Sequence, residues 1–98
     1  MRTVYVVNKG PHDFSKAERF GRLVYLSEGP VSKFNVGSMF RQFEKVLQNS
    51  APDDLILQTS LTTMNTVAVG IFVAKHHRLN LLLFRDDDYV KRTLMFNQ

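Results

Sequence analysis

LNLLLFRDDDYVKRTL, residues 79–94, is the stretch on which the fold turns. Leu79 to Phe84 is the most apolar strand candidate in the chain, and Tyr89 to Leu94 follows after only Arg85, Asp86, Asp87 and Asp88. A link that short cannot carry a parallel crossover, so these two strands form an antiparallel hairpin. Every earlier strand candidate is separated from the next by a segment of different character. Thr3 to Val7 (TVYVV) is β-branched and aromatic without alternation, as a strand buried on both faces reads. Arg22 to Leu26 (RLVYL), closed by the turn formers Ser27-Glu28-Gly29-Pro30, and Leu55 to Gln58 (LILQ) are the other two strands.

Helices fill the intervals. Asp13 and Ser15 can each cap a short helix of at most two turns, Ser15 and Glu18 fit a capping box, and Gly21 offers a left-handed stop. From Val36 to Gln48, Val36, Met39, Phe40, Phe43, Val46 and Leu47 recur at three- and four-residue spacing, with Arg41, Gln42, Glu44 and Lys45 on the other face. Pro52 ends that region. Met64 to His77 is a third helix whose Met64, Val67, Ala68, Ile71 and Phe72 form a broad apolar face, so it reads as mostly buried. Gly70 within it costs about 1 kcal/mol relative to alanine, which a close approach to another element would offset.

The order β-α-β-α-β-α-β-β predicts an α/β fold: a three-layer sandwich with a mainly parallel five-stranded sheet of order 2-1-3-4-5, the last strand antiparallel, and about three helices. The alternative hinges on the short first helix, which leaves open an antiparallel pairing of the first two strands.

Ninety-eight residues suit a single domain spanning 1–98. With 44% apolar and 22% charged residues, the chain has the balance of a folded soluble domain. It has no cysteine, which removes disulfides and thiolate chemistry. The apolar stretch Val67 to Ala74 is too short to span a bilayer, and MRTVYVV lacks the features of a secretory signal, so no membrane partner and a cytoplasmic location are expected. The formal charge of +4 is dispersed among acids, and does not name nucleic acid as a partner. Phe34, Phe40 and Phe43 beside Lys33, Arg41 and Lys45 are an aromatic and basic mixture that single strands could use. Helical spacing assigns Phe40 and Phe43 to the core instead.

In a sheet of the expected order, a crevice lies beyond the carboxyl ends of the first and third strands. Asn8, Lys9, Gly10, His12 and Asp13 would form one wall, and Thr59, Ser60, Thr62, Thr63 and Asn65, at the start of the large helix, the other. Helix amides and hydroxyls with Lys9 opposite suit a small anionic group such as a nucleotide phosphate. The competing reading is that these residues only cap a helix and turn the chain. No Walker A and no G-x-G-x-x-G occurs, and no cofactor is expected.

Catalytic and metal readings are weaker. His12 and Asp13 are adjacent and do not orient each other as a dyad, and Ser60 lacks a nucleophile elbow. His76 and His77 point about 100° apart on a helix with no ligand at i+4. Asp86-Asp87-Asp88 lacks the glycine and distal glutamate of an EF-hand loop and reads as a solvated turn. No catalytic or metal-ligating residue is therefore assigned, and a small hydrolase using His12 ranks third among the functions.

NKGPHDFS, the FGRLVYLSEG that follows and RLNLLLF near the end resemble a small protein type of tailed-phage genomes. The resemblance implies a viral accessory protein acting in the host cytoplasm, and carries over no functional residue. The leading expectation is a noncatalytic protein that binds or sequesters a small anionic ligand. The alternative is a protein-binding or assembly module docking through its hairpin edge or surface helix. Lys91 and Arg92 on the last strand discourage open-ended pairing and permit a closed homodimer contact.

Overall fold

A computed structural model describes residues 1–32, 34–59 and 61–96; Lys33 and Ser60, both weighed above, lie outside the described residues. Five strands form one sheet: β1 (Thr3–Val6), β2 (Arg22–Tyr25), β3 (Leu55–Leu57), β4 (Arg78–Arg85) and β5 (Asp88–Met95). Their order is β2-β1-β3-β4-β5. β1 pairs in parallel with β2 and β3, β3 pairs in parallel with β4, and β4 with β5 is antiparallel. The fold class and strand order expected from the sequence hold, and the antiparallel alternative for β1 and β2 does not.

Helices α1 (Val36–Leu47) and α2 (Thr62–His76) cover one face, and a 3-10 helix, Ser15–Phe20, covers the other. The period-two alternation of strand side chains builds a separate core on each face. Tyr5, Val7, Ile56 and Leu79 meet Met39, Phe43 and Leu47 of α1 and Met64, Ala68 and Phe72 of α2. Val4, Val6, Leu55, Leu57 and Leu82 meet Phe14, Ala17 and Tyr89. β1 and β3 are therefore apolar on both faces because both faces are covered.

Local geometry departs from expectation at three residues. Gly21 is not a left-handed stop: its backbone is nearly fully extended, and glycine is needed because a Cβ would collide with the Arg2 carbonyl oxygen where β2 joins the sheet. The Asp13 carboxylate, not a Ser15–Glu18 box, engages the start of the 3-10 helix, accepting the Ser15 amide at 2.8 Å. Phe40 is not core. It is 44% exposed while Phe43 is fully buried, because the inward stripe of α1 runs Met39, Phe43, Leu47 and leaves Phe40 on its flank.

The hairpin turn places Asp86 and Asp87 at φ 51° and 64°, the left-handed pair that a two-residue hairpin loop requires. Lys16 binds the Asp87 carboxylate and carbonyl, both at 2.8 Å, and Arg19 reaches Asp88 at 3.1 Å. The turn is thus tied to the 3-10 helix rather than free in solvent.

Candidate functional site

The loop after β1 continues alongside the loop after β2. The Lys9 amide donates to the Ser27 carbonyl at 2.8 Å, the Gly29 amide donates to the Lys9 carbonyl at 3.0 Å, and Lys9 and Glu28 form a parallel bridge. The Ser27 hydroxyl lies 2.9 Å from both the Val7 carbonyl and Asn8 Oδ1, so Asn8 is engaged within this junction. The Lys9 ammonium lies over the Tyr25 ring, 5.3 Å from its centroid. That ring packs in the core beneath the 3-10 helix, the face opposite α2. Gly10 has open space around it, His12 stands 6.3 Å from the Phe14 ring, and Asp13 holds the Ser15 amide, which keeps its carboxyl below the ordinary carboxylate range.

On the second wall, Asn65 closes the loop that leads into α2. Its Oδ1 accepts the Thr59 amide at 3.0 Å and its Nδ2 donates to the Thr59 carbonyl at 2.6 Å. Thr62 and Thr63 are the first two residues of α2, and no side chain caps that helix at Leu61. The Thr59 hydroxyl is buried without a hydrogen-bond partner among the described residues. Asn8 and Lys9 are brought together with Ser27 and Tyr25, and Thr59 with Asn65; no hydrogen bond or ion pair joins the two walls among the described residues.

A polar network that the sequence does not announce sits at the opposite end of the strands. Asn80, fully buried within the leucines of β4, donates from Nδ2 to the carbonyls of Pro52 at 2.9 Å and Asp54 at 2.8 Å. Its Oδ1 accepts Arg78 Nε at 3.1 Å and the Thr93 hydroxyl at 2.9 Å. Asp54 accepts the Thr3 and Ala51 amides. All four valences of the Asn80 amide are filled from within the chain, which marks a brace rather than a ligand site.

Beside it, Ser50 and His76 Nε2 are 2.8 Å apart. This is not a nucleophile and its base. The single Ser50 hydroxyl proton goes to the Leu47 carbonyl at 2.6 Å, so Nε2 must donate to Oγ. Burial, with the neighbouring Lys75 charge, pushes the His76 pKa below its ordinary 6.5. The Lys75 ammonium donates to the Leu47 and Gln48 carbonyls, satisfying the end of α1.

An open concavity lies between α1 and α2. It encloses about 920 Å³ and is walled by Val36, Phe40, Val67, Ile71 and Ala74, with Arg41, Glu44 and Lys45 along one rim. Gly70 faces it, and a Cβ built there meets nothing within 4 Å. The close approach expected to offset Gly70 is therefore absent among the described residues. The flank of α2 toward solvent reads Thr66, Gly70, Ala74, with no charge before Lys75, whereas a solvent-facing helix flank is ordinarily charged. None of the nine described residues among those anticipated from the sequence lines this groove. The signal that could have found it was the uncharged run Thr62 to Ala74, which is apolar on more sides than one core can cover.

These features define a small α/β protein with a mainly parallel sheet, one antiparallel edge and an apolar groove on its helical face. Among the described residues no helix is long and apolar enough to cross a membrane. The chain belongs to the family of Phage Pam3 gp32-like proteins, whose model it matches over residues 2–97. It is thus a phage protein, as the sequence resemblance implied. Searches of curated proteins and of solved structures returned no significant match.

Proposed function

We propose that this phage protein is a noncatalytic accessory factor of the host cytoplasm that acts by docking onto another protein through the α1–α2 face. The observation that carries this is the groove: apolar walls, exposed Phe40, and a helix flank without charge. Apolar concavities rimmed by polar residues are where folded proteins receive partners. The test uses tagged protein in infected host cells, comparing the native chain with Gly70→Leu, which fills the groove, and with the edge variant Lys91→Ala plus Arg92→Ala. A partner lost with Gly70→Leu and kept by the edge variant supports the reading. A partner kept by Gly70→Leu, or no partner captured by the native chain, overturns it.

A second reading keeps a small anionic, nucleotide-like ligand at the carboxyl ends of β1 and β3, held by Asn8, Lys9, Gly10, His12, Asp13, Thr59, Ser60, Thr62, Thr63 and Asn65. What favours it is the start of α2, without a side-chain cap at Leu61, beside the Thr59 hydroxyl, which has no hydrogen-bond partner among the described residues. It ranks second because Asn8, Asp13 and Asn65 are spent on their own loops and Lys9 is seated over Tyr25. Saturating ligand raises a melting midpoint by mass action, so a nucleotide and metabolite panel tests it. No shift with any anion, or a shift that survives both Lys9→Ala and Thr63→Ala, would refute it.

A further inference from the structure

We infer that the occupant of the α1–α2 groove is an acidic amphipathic helix of another protein, laid along the groove with its apolar side inward and its acidic flank against Arg41 and Lys45. This rests on the docking role proposed above and adds the chemistry of the partner. Both helices follow parallel crossovers, so they run in the same direction, and Lys75 near the end of α2 meets the Leu47 and Gln48 carbonyls at the end of α1. The twelve residues of α1 make a straight trough about 18 Å long, some three helical turns. Its walls are side chains whose backbone hydrogen bonds are already made within each helix, so an extended strand finds no ladder to join, whereas a helix brings its own.

Small residues set how deep the occupant sits. Gly70 and Ala74 on α2 leave the trough open where larger side chains would close it, and a Cβ on Gly70 would project into empty space. Among the described residues no packing contact accounts for glycine at that point. Close approach of a second helix does, because small residues let helix axes draw together.

Charge selects the occupant. Among the described residues four ionisable side chains stand at the groove: Arg41, Glu44, Lys45 and Lys75. Lys75 is bonded to the carbonyls that end α1, while Arg41 and Lys45 make no ion pair among the described residues, not even with neighbouring Glu44. The surplus is positive and unneutralised, on a chain of formal charge +4. A second copy, docked face to face, would bring the same bases together and be repelled. Nucleic acid would meet the bases but have no use for the apolar walls.

The probes are two synthetic helical peptides of about 18 residues, each with leucine along one side. One has glutamate and glutamine on the other side, and its counterpart has lysine and glutamine. Fluorescence anisotropy against the full chain is expected to show the glutamate peptide binding at least about tenfold more tightly than the lysine peptide, and weakening as salt rises. Arg41→Glu with Lys45→Glu, both exposed sites, should invert that preference. Gly70→Leu should abolish binding of either peptide without lowering the melting midpoint.

Equal binding of the two peptides, binding of neither, glutamate-peptide binding that survives Gly70→Leu, or displacement of the peptide by a single-stranded oligonucleotide would each overturn the inference. So would a dimer in sedimentation that Gly70→Leu dissociates, since the occupant would then be a second copy. The docking role fails separately: it falls if the partner captured in infected cells is kept by Gly70→Leu. If that partner is lost with Gly70→Leu but kept by the Arg41→Glu, Lys45→Glu protein, docking stands and the acidic helix does not.

Discussion

Replacing Asn80 with leucine tests whether the polar brace holds the hairpin to the rest of the sheet. The side chains are similar in volume, so the change removes hydrogen bonds more than it opens a cavity. The bond to the Asp54 carbonyl is buried, and an acceptor stranded there costs about 1–3 kcal/mol. The bonds to the Pro52 carbonyl, Arg78 Nε and the Thr93 hydroxyl are part-buried, so water replaces them incompletely at about 0.5 kcal/mol each. Burying the leucine returns about 1 kcal/mol. The net loss is about 1.5–3.5 kcal/mol, against a total stability on the order of 5–15 kcal/mol for a domain of this kind. It should appear in urea unfolding as a lower midpoint at unchanged slope, and in heating as a fall of about 6–28 °C. Asn80→Asp keeps the two acceptor contacts but turns a carboxylate toward two carbonyls. Its deficit should therefore shrink as pH falls and the carboxyl takes up a proton it can donate. A loss under about 0.5 kcal/mol for Asn80→Leu, the range of ordinary surface changes, would refute the bracing role.

Three further outcomes follow from contacts described above. Phe43→Ala should cost about 3–5 kcal/mol in urea unfolding while Phe40→Ala stays within about 0.5 kcal/mol, since only Phe43 is core. The lowered His76 pKa means that the unfolded chain takes the proton first as pH falls. The contribution of neutral His76 is thus intact above about pH 6.5, is lost as pH drops through the lower folded value, and should disappear from the stability–pH curve in His76→Gln. Lys16→Ala should lower the NMR order parameters of Asp86 and Asp87 and leave the melting midpoint unchanged, because the Lys16–Asp87 pair is exposed and locates the turn more than it stabilises the fold.

Strand order was legible because it depends on local signals. Four residues between Phe84 and Tyr89 admit only a hairpin, and helical periodicity between the other strands imposes crossovers. Helix faces were legible to within one position. Phe40 and Phe43 share a side of α1 by spacing, but which of them faces inward depends on how the helix is rolled against the sheet, a tertiary quantity. Gly21 drew attention for the right residue and the wrong reason, since the Arg2 carbonyl that excludes a Cβ lies far away in sequence. The same distance hides Asn80, whose partners come from two other segments, the Pro52–Asp54 loop and Thr93 of β5. Only its presence inside LNLLLF hinted at a buried amide.

The candidate sites divide in the same way. Residues 8–13 and 59–65 were picked for their types, and their spending on Ser27, Ser15 and Thr59 could not be read from type alone. The groove arises because α1 and α2 lie side by side. That adjacency follows from the strand order, but the uncovered flank does not.

The join between β3 and β4 has a consequence for how the molecule breathes. Only Ile56 with Leu81 and Leu57 with Leu82 are in register across it, whereas β4 and β5 pair along eight positions. The sheet is thus a three-stranded plate and a long hairpin meeting at a narrow seam. The outer strand of that hairpin leaves Leu94 and Met95 51% and 60% exposed. Parting the seam must also break the Asn80 bonds to the Pro52 and Asp54 carbonyls and uncover Leu79, Leu82 and Tyr89, so the hairpin amides are expected to exchange with solvent together, and ahead of those in β1 once the brace is removed in Asn80→Leu.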